Sequence, residues 1–282
     1  MAALDVIAHR PADGASSPAG IAVSVALLVI VTIFCFLVPV LALLPSPVGG
    51  DVLDAGLPAF SGGHLLGTDL NGNDVLSRLA SSGRSSLLIA VAANFAGLVI
   101  GASLGAVSAQ MGGLVDAALM RVLDAFIAFP ALVLALVVAQ AIDASVPGTI
   151  VALSCFTIPA FARVARAATL RLREQGFMLA ARLSDAPGWR VLALHVGPNI
   201  APQLTSFLFL GIGISIIVEG ALSYLGLGVP PPAPSWGNMI FHGQQALHSQ
   251  PSLVLFPSLC IFLTVLACNL LADAIRRRWT AQ

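Results

Sequence analysis

Apolar residues run through this chain in blocks too long and too uninterrupted for a water-soluble core. Six blocks, at about 19–44, 86–109, 116–142, 147–168, 203–222 and 252–274, approach or exceed the roughly 20 residues a helix needs to cross the hydrocarbon layer. They are continuous and do not alternate with period two, so they predict helices and not the strands of a lipid-exposed barrel. The fourth block is the least regular, because Arg163 and Arg166 intrude near its end; it reads as a span whose helix runs on beyond the membrane. The predicted fold is an all-α polytopic membrane protein with six transmembrane helices. Its parts are a tail over 1–18, a first span over 19–44, a loop over 45–82, a five-helix core over 83–275 and a tail over 276–282.

The polar positions between the blocks predict the orientation. Phe161 to Asn199 holds a basic island with Arg163, Arg166, Arg171, Arg173, Arg182 and Arg190, and the chain ends in Arg276-Arg277-Arg278 followed by four more residues. The loop after the first block instead carries Asp51, Asp54, Asp69 and Asp74 against Arg78, with Arg84 at the edge of the second block. By the positive-inside rule both termini and the island face the cytoplasm, which an even number of spans permits. Two segments then lie outside. The loop at 45–82 has turn signals such as Asn71-Gly72-Asn73-Asp74. The segment at about 223–251 carries Pro230-Pro231-Pro232-Ala233-Pro234, which cannot be helical within itself. Trp236 and Tyr224 read as anchors at the membrane surface.

Composition agrees with the pattern and narrows the chemistry. Of 282 residues, 58% are hydrophobic and 9% charged, and mean hydropathy is +0.96, whereas a soluble domain carries about a quarter charged residues. Formal net charge is zero, so bulk charge points to no nucleic-acid partner. Every basic residue is Arg, so each can offer a planar fork and none is a readily titrating amine. Cys35, Cys155, Cys260 and Cys268 all fall in apolar stretches without metal-ligand spacing and read as small buried hydrophobes. The first eighteen residues, broken by Pro11, Gly14, Ser16 and Ser17, read as a short tail, and the block after them is too long for a signal peptide and lacks a convincing cleavage site; it reads as a retained anchor.

Catalytic motifs are missing. There is no His-Glu-x-x-His and no Gly-x-Ser-x-Gly, and a phosphate loop ending in Gly-Lys-Ser/Thr is impossible without Lys. The five histidines are scattered, so no metal site is predicted. Any energy source must be a gradient or another subunit. Polar residues within the blocks are the remaining candidates, since each is costly unless partnered. Arg121 and Asp124, three residues apart, share a helical face and can pair, or else line a substrate path. Glu219 can line a path or bind a cationic group, or can hydrogen-bond the Pro-rich segment or a neighbouring helix. Asn269 and Asp273, one turn apart, suit packing and capping. Gly97, Gly101 and Gly105 form a smooth groove that fits close packing inside this chain or against a second membrane subunit. Gly211 and Gly213 are expected to loosen the fifth span.

Within the island, Leu179-Ala180-Ala181-Arg182, then Ser184-Asp185-Ala186-Pro187-Gly188, then His195-Val196-Gly197-Pro198-Asn199 resemble the cytoplasmic loop of ABC importer permeases. Its pattern is Glu-Ala-Ala, three residues, Gly, a spacer, then Ile-x-Leu-Pro. Ala180, Ala181 and Pro198 match; Leu179, Asp185 and Gly197 stand where that pattern has Glu, Gly and Leu. Four more segments are similar to the second-permease type of the dipeptide/oligopeptide/nickel branch, and their order matches. They are His64-Leu65-Leu66-Gly67-Thr68-Asp69 with Gly83-Arg84-Ser85-Ser86-Leu87; Gly112-Gly113 to Asp116 with Leu119-Met120-Arg121 and Asp124; Glu219 through Gly228 with Pro234-Ser235-Trp236-Gly237; and Asn269 through Asp273. Asn73 stands where the branch usually has Arg, and the tail lacks the usual Asp-Pro ending.

This resemblance implies a MetI-like type I importer permease in the bacterial inner membrane, not itself an enzyme, which forms half of a peptide channel. Implied partners are a second permease, two cytoplasmic ATPase subunits or a fused one, an extracytoplasmic substrate-binding protein, the small peptide and the lipid bilayer. No cofactor belongs to this chain; ATP and Mg are bound by the ATPase subunits. The coupling loop, at about 171–199, would dock in an ATPase groove through Ala180 and Ala181, with Arg182 and Arg190 at its rim and Asp185, Gly188 and Pro198 shaping its path. Alternatives are a same-family permease for nickel, haem or another small ligand, a proton-coupled carrier using Glu219 and Asp124, and a non-transporting membrane scaffold.

Overall fold

The computed structural model describes residues 18–41, 44–176, 178 and 187–280. Among these it contains helices and no strand, apart from isolated bridges between Ser61 and His64 and between Thr68 and Asp74. We number the helices α1 (Gly20–Val40), α2 (Val75–Met111), α3 (Gly113–Ile127), α4 (Ala131–Ala141), α5 (Val146–Arg173), α6 (Gly188–Tyr224), α7 (Trp236–Gly243) and α8 (Ser252–Thr280). Of the described helices, α1, α2, α5, α6 and α8 are each long and apolar enough to cross a membrane. The bent pair α3 and α4 makes six if it counts as one span.

The third apolar block is therefore not the single helix expected over 116–142. It breaks at Ala128–Pro130 into two helices 87° apart. Pro130 marks the break, although Pro159, Pro202 and Pro257 are carried inside continuous helices. It offers no N–H to a continuing helix and disfavours the helical region for Phe129, and it sits in an extended conformation as the cap of α4. Two helices begin well ahead of their apolar blocks. α2 begins at Val75, within the segment expected to be loop, because the Asp74 carboxylate accepts from the Ser77 N–H at 2.7 Å and satisfies the first turn. α6 begins at Gly188, fifteen residues ahead of its block. It passes Pro198 in a first turn that follows a π turn over Leu192–Val196, and Pro198 lacks only an N–H.

Three apolar clusters hold the bundle, and α2 and α6 contribute to all of them. One joins Cys35 of α1, Val75 and Leu79 of α2, Ile212 and Ile216 of α6, Trp236 and Met239 of α7, and Cys268 of α8. A second joins Ile89, Ala135, Leu153 and Leu222. The third, at the arginine-rich end, joins Ala102, Phe161, Ala165, Val191 and Ile200 with Met178. The glycine stripe of α2 lies against α5 of the same chain. A methyl group at Gly101 or Gly105 would overlap the carbonyl oxygen of Ile158 or Ala162, and one at Gly97 would meet the Phe161 ring. Gly211 does not loosen α6, which is unbroken to Tyr224; its missing side chain makes room for the Asn94 amide, which donates to Ser215 Oγ at 2.8 Å.

Trp236, expected as a surface anchor, is instead fully buried. Ser235 and Asn238 cap each other's backbone to start α7, and Gly237 lets that helix rest on the Gly220 carbonyl of α6. The indole lies over Gly83, where a side chain would strike it, and donates from Nε1 to the Leu79 carbonyl at 3.1 Å. Trp236→Phe keeps most of the packing and removes one hydrogen bond from a carbonyl that keeps its helical N–H partner, so it is expected to cost about 0.5–1.5 kcal/mol. A lower thermal midpoint of the purified protein in detergent checks this.

Candidate functional site: two polar centres at opposite ends of the bundle

At the arginine-rich end, the described residues on either side of the segment between α5 and α6 are ordered by short hydrogen-bonded turns. α5 continues unbroken to Arg173, and turn hydrogen bonds from Gln175 to Leu172 and from Met178 to Gln175 lead to a fully buried Met178. On the far side the N–H groups of Arg190 and Val191 bond the Pro187 carbonyl as α6 begins. Gly188 is exposed with open space around it, and Pro198 lies in α6. Ala180, Ala181, Arg182 and Asp185 lie outside the described residues.

Three of the four arginines of α5 reach α3 and the end of α2, while Arg171 is exposed. Arg166 forks onto Asp116, Nε to Oδ1 and Nη2 to Oδ2, both at 2.6 Å, and Ser108 Oγ also donates to Oδ1. Arg163 donates to Asp124 Oδ1 from Nη2 at 2.7 Å and from Nε at 3.2 Å. Arg173 donates to the Ala109 carbonyl. Asp124 thus pairs across helices with Arg163, not with Arg121 on its own helix as the spacing suggested; Arg121 is exposed. Arg163, Arg166 and Arg173 fall on one stripe of α5, and that periodicity was readable in the sequence. Their carboxylate partners were not, because the 87° bend decides where α3 lies.

At the opposite end, Glu219 of α6 is fully buried. Its Oε1 accepts from Ser223 Oγ at 2.7 Å, one helical turn on. The hydroxyls of Ser86 and Ser235 stand beside the carboxylate without closing a bond of good geometry, and Oε2 has no partner among the described residues. Each of these three serines also accepts a backbone N–H from the chain after α6: Ser223 from Val229 at 3.2 Å, Ser86 from Trp236 at 3.4 Å and Ser235 from Asn238 at 3.3 Å. A hydroxyl that accepts an N–H keeps its own proton to donate, so the carboxylate is the acceptor toward which three such protons can turn.

Beside this centre the loop before α2 folds on itself. Asp69 Oδ1 accepts from the Asn71 and Asn73 N–H groups at 2.9 Å, Asp69 Oδ2 meets Arg78 Nε at 3.3 Å, and His64 Nδ1 lies 2.7 Å from Asp74 Oδ2. Asn73 accepts from the Gly50 N–H at 3.0 Å, a bond that an arginine there could not accept. Between this loop and α7 opens a cleft of about 480 Å³ lined by Asp69, Asn73, Arg78, Pro231, Asn238 and His242.

Residues 93–280 match the family described as the binding-protein-dependent transport system inner membrane component. The chain belongs to this family. It is a multi-pass inner-membrane permease of an ABC importer, a class that works with a partner ATPase and a substrate-binding protein. It is 38% identical over 216 residues to the glutathione transport system permease protein GsiD of Pectobacterium atrosepticum, covering 77% of this chain and 72% of that one. It is 38% identical over 213 residues to the protein of the same name from Escherichia coli O6:K15:H31, covering 76% and 70%. Among solved structures, a chain of the inward-facing MetNI methionine ABC transporter superposes with a TM-score of 0.55 at 17% identity, covering 70% of this chain and 95% of that one, which shows the shared fold.

In this permease no hydrogen bond or ion pair among the described residues joins Arg121, Asp124 and Glu219 to one another, so the three sequence candidates do not form one cluster. Asp273 is half exposed and reaches Arg276 at 3.4 Å, while Asn269 is half-buried on the same helix.

Proposed function

We propose that this permease imports short peptides of the di- and tripeptide class and forms one half of a channel completed by a second permease. The relationship to glutathione permeases, which spans more than two thirds of both chains, carries this reading. In it both termini and the arginine-rich end face the cytoplasm. The segment at about 171–199 docks one ATPase through Ala180 and Ala181, with Arg182 at the rim and Asp185, Gly188 and Pro198 setting its path. ATP and Mg bind to the two ATPase subunits, and the binding protein delivers substrate at the Glu219 end. The flanks support the docking role: α5 and α6 both extend past their apolar blocks to bracket the segment, and buried Met178 ties it to the core. A short helix with small residues at its contact can sit closely in a groove.

Uptake of labelled dipeptides and glutathione into proteoliposomes holding the complete importer tests the substrate class. The expected result is accumulation that requires both ATP and the binding protein. Accumulation of nickel or haem in place of peptides would overturn the peptide assignment. Ala181→Arg places a long cation where a methyl group is proposed to contact the ATPase. It is expected to lower uptake at least tenfold while the permease stays inserted, and normal peptide-stimulated hydrolysis with normal uptake would count against the docking role.

A further inference from the structure

The ion pairs of α5 do more than neutralise charge. Positions 163, 166 and 173 are separated by three and seven residues and share one stripe of the helix. All three side chains grip the chain between Ala109 and Asp124. α3 has little else to hold it: Leu123 is its one buried apolar side chain among the described residues, while Leu114, Val115, Val122 and Phe126 are exposed. The Arg166–Asp116 fork fixes orientation as well as distance, because two parallel charge-assisted bonds resist rotation where a single bond would not. Asp116 is half-buried, and Ser108 adds a third bond from the end of α2. The Arg163–Asp124 pair is about half exposed and acts as the lesser tie.

At one end of this assembly, α5 leads directly into the 174–187 segment. At the other, α3 meets the Ala128–Pro130 bend and then α4, whose Ala135 and Ala139 are buried in the cluster shared by α2, α5 and α6. We propose that the Arg166–Asp116 fork, assisted by Arg163–Asp124, is the linkage that passes a displacement of the 174–187 segment from α5 to α3 and, through the bend, to α4 inside the membrane. Arg166 and Asp116 are then positioning residues for transport: they touch neither peptide nor nucleotide, but they make α3 follow α5. This rests on the proposed docking role of the segment.

The test uses the complete importer, reconstituted with its second permease, ATPases and binding protein, and reads peptide taken up per ATP hydrolysed. Asp116→Arg and Arg166→Asp are each expected to lower that ratio at least tenfold in complexes that assemble and still hydrolyse ATP. The double swap Asp116→Arg/Arg166→Asp is expected to recover at least half of it. Single variants with an unchanged ratio, or a swap that restores assembly without the ratio, would overturn the linkage. Should the reversals prevent folding, Arg166→Lys keeps the charge and loses the fork. A drop of about threefold in its ratio is expected, and an unchanged ratio overturns the proposal equally. Ala181→Arg measured in parallel separates the two readings. If it uncouples while the Arg166 and Asp116 variants do not, the linkage alone fails; if it leaves the ratio unchanged, the docking role fails.

Discussion

Gly105→Leu is expected to prevent the permease from accumulating in the membrane. At this position even a methyl group would overlap the Ala162 carbonyl oxygen of α5, and a backbone oxygen cannot rotate away as a side chain can. Relief requires α2 and α5 to separate, and separation strips dispersion contacts from Ala102, Phe161 and Ala165 in the cluster they share. Gly105→Ala isolates the effect. Overpacking of this kind costs about 1–3 kcal/mol or more, against the roughly 1 kcal/mol that Ala gains over Gly as a helix former. Gly213→Ala supplies the control, because its new methyl group would sit 3.6 Å from the Cys268 Cβ, an ordinary contact. The same chemical change is therefore expected to lower the thermal midpoint in α2 and to leave it level or raise it in α6. Equal midpoints for the two alanine variants would show that the stripe does not seat α5.

The contrast between these two glycines marks what can be read from one sequence. Apolar blocks of membrane length are legible because the hydrocarbon layer imposes a minimum length, and the small-residue stripe is legible because its spacing matches a helix face. What the stripe packs against depends on which helix tertiary structure brings to it, and both an internal and an external partner satisfied the pattern. Other misses left local signals. Pro130 inside the third block was a breaker. Asp74 and Ser77 were a helix start placed before a polar run, and α2 reaches into that run because its first turn is capped, not because it is apolar. Trp236 was read from residue type alone; Ser235 and Asn238 as caps and Gly237 as a close-approach site would have argued for a packed helix. The partners of Arg166 and Glu219 lay further beyond reach. Asp116 is fifty residues from Arg166, and Ser86 reaches the Glu219 centre from a different helix. Only Ser223, at four residues, was implied by helical spacing.

Replacement of Glu219 separates a structural tie from a lining of the substrate path. Glu219→Leu keeps the side chain's bulk but removes the acceptor of the Ser223 hydroxyl and the carboxylate beside which Ser86 and Ser235 stand. The Ser223 hydroxyl left without that acceptor in a dry interior costs about 1–3 kcal/mol. These serines also receive the N–H groups of Val229, Trp236 and Asn238, so the loss spreads into the segment that seats α7 against α6. Glu219→Leu is expected to lower peptide uptake at least tenfold and the thermal midpoint with it. Glu219→Gln retains an amide oxygen for Ser223, and its NH₂ can donate to the second lone pair of Ser86 or Ser235, so at least half of the uptake should remain. The decisive measurement compares cationic, neutral and anionic peptides in the Gln variant. A carboxylate that lines the path favours cationic substrate, and its neutralisation shifts the preference. A carboxylate buried as an acceptor of serine hydroxyls has no exposed surface to offer a passing peptide, so the relative uptake of the three peptide classes should match the unaltered permease. A preference that moves toward anionic peptides would place Glu219 in the path and remove the tie as its main role.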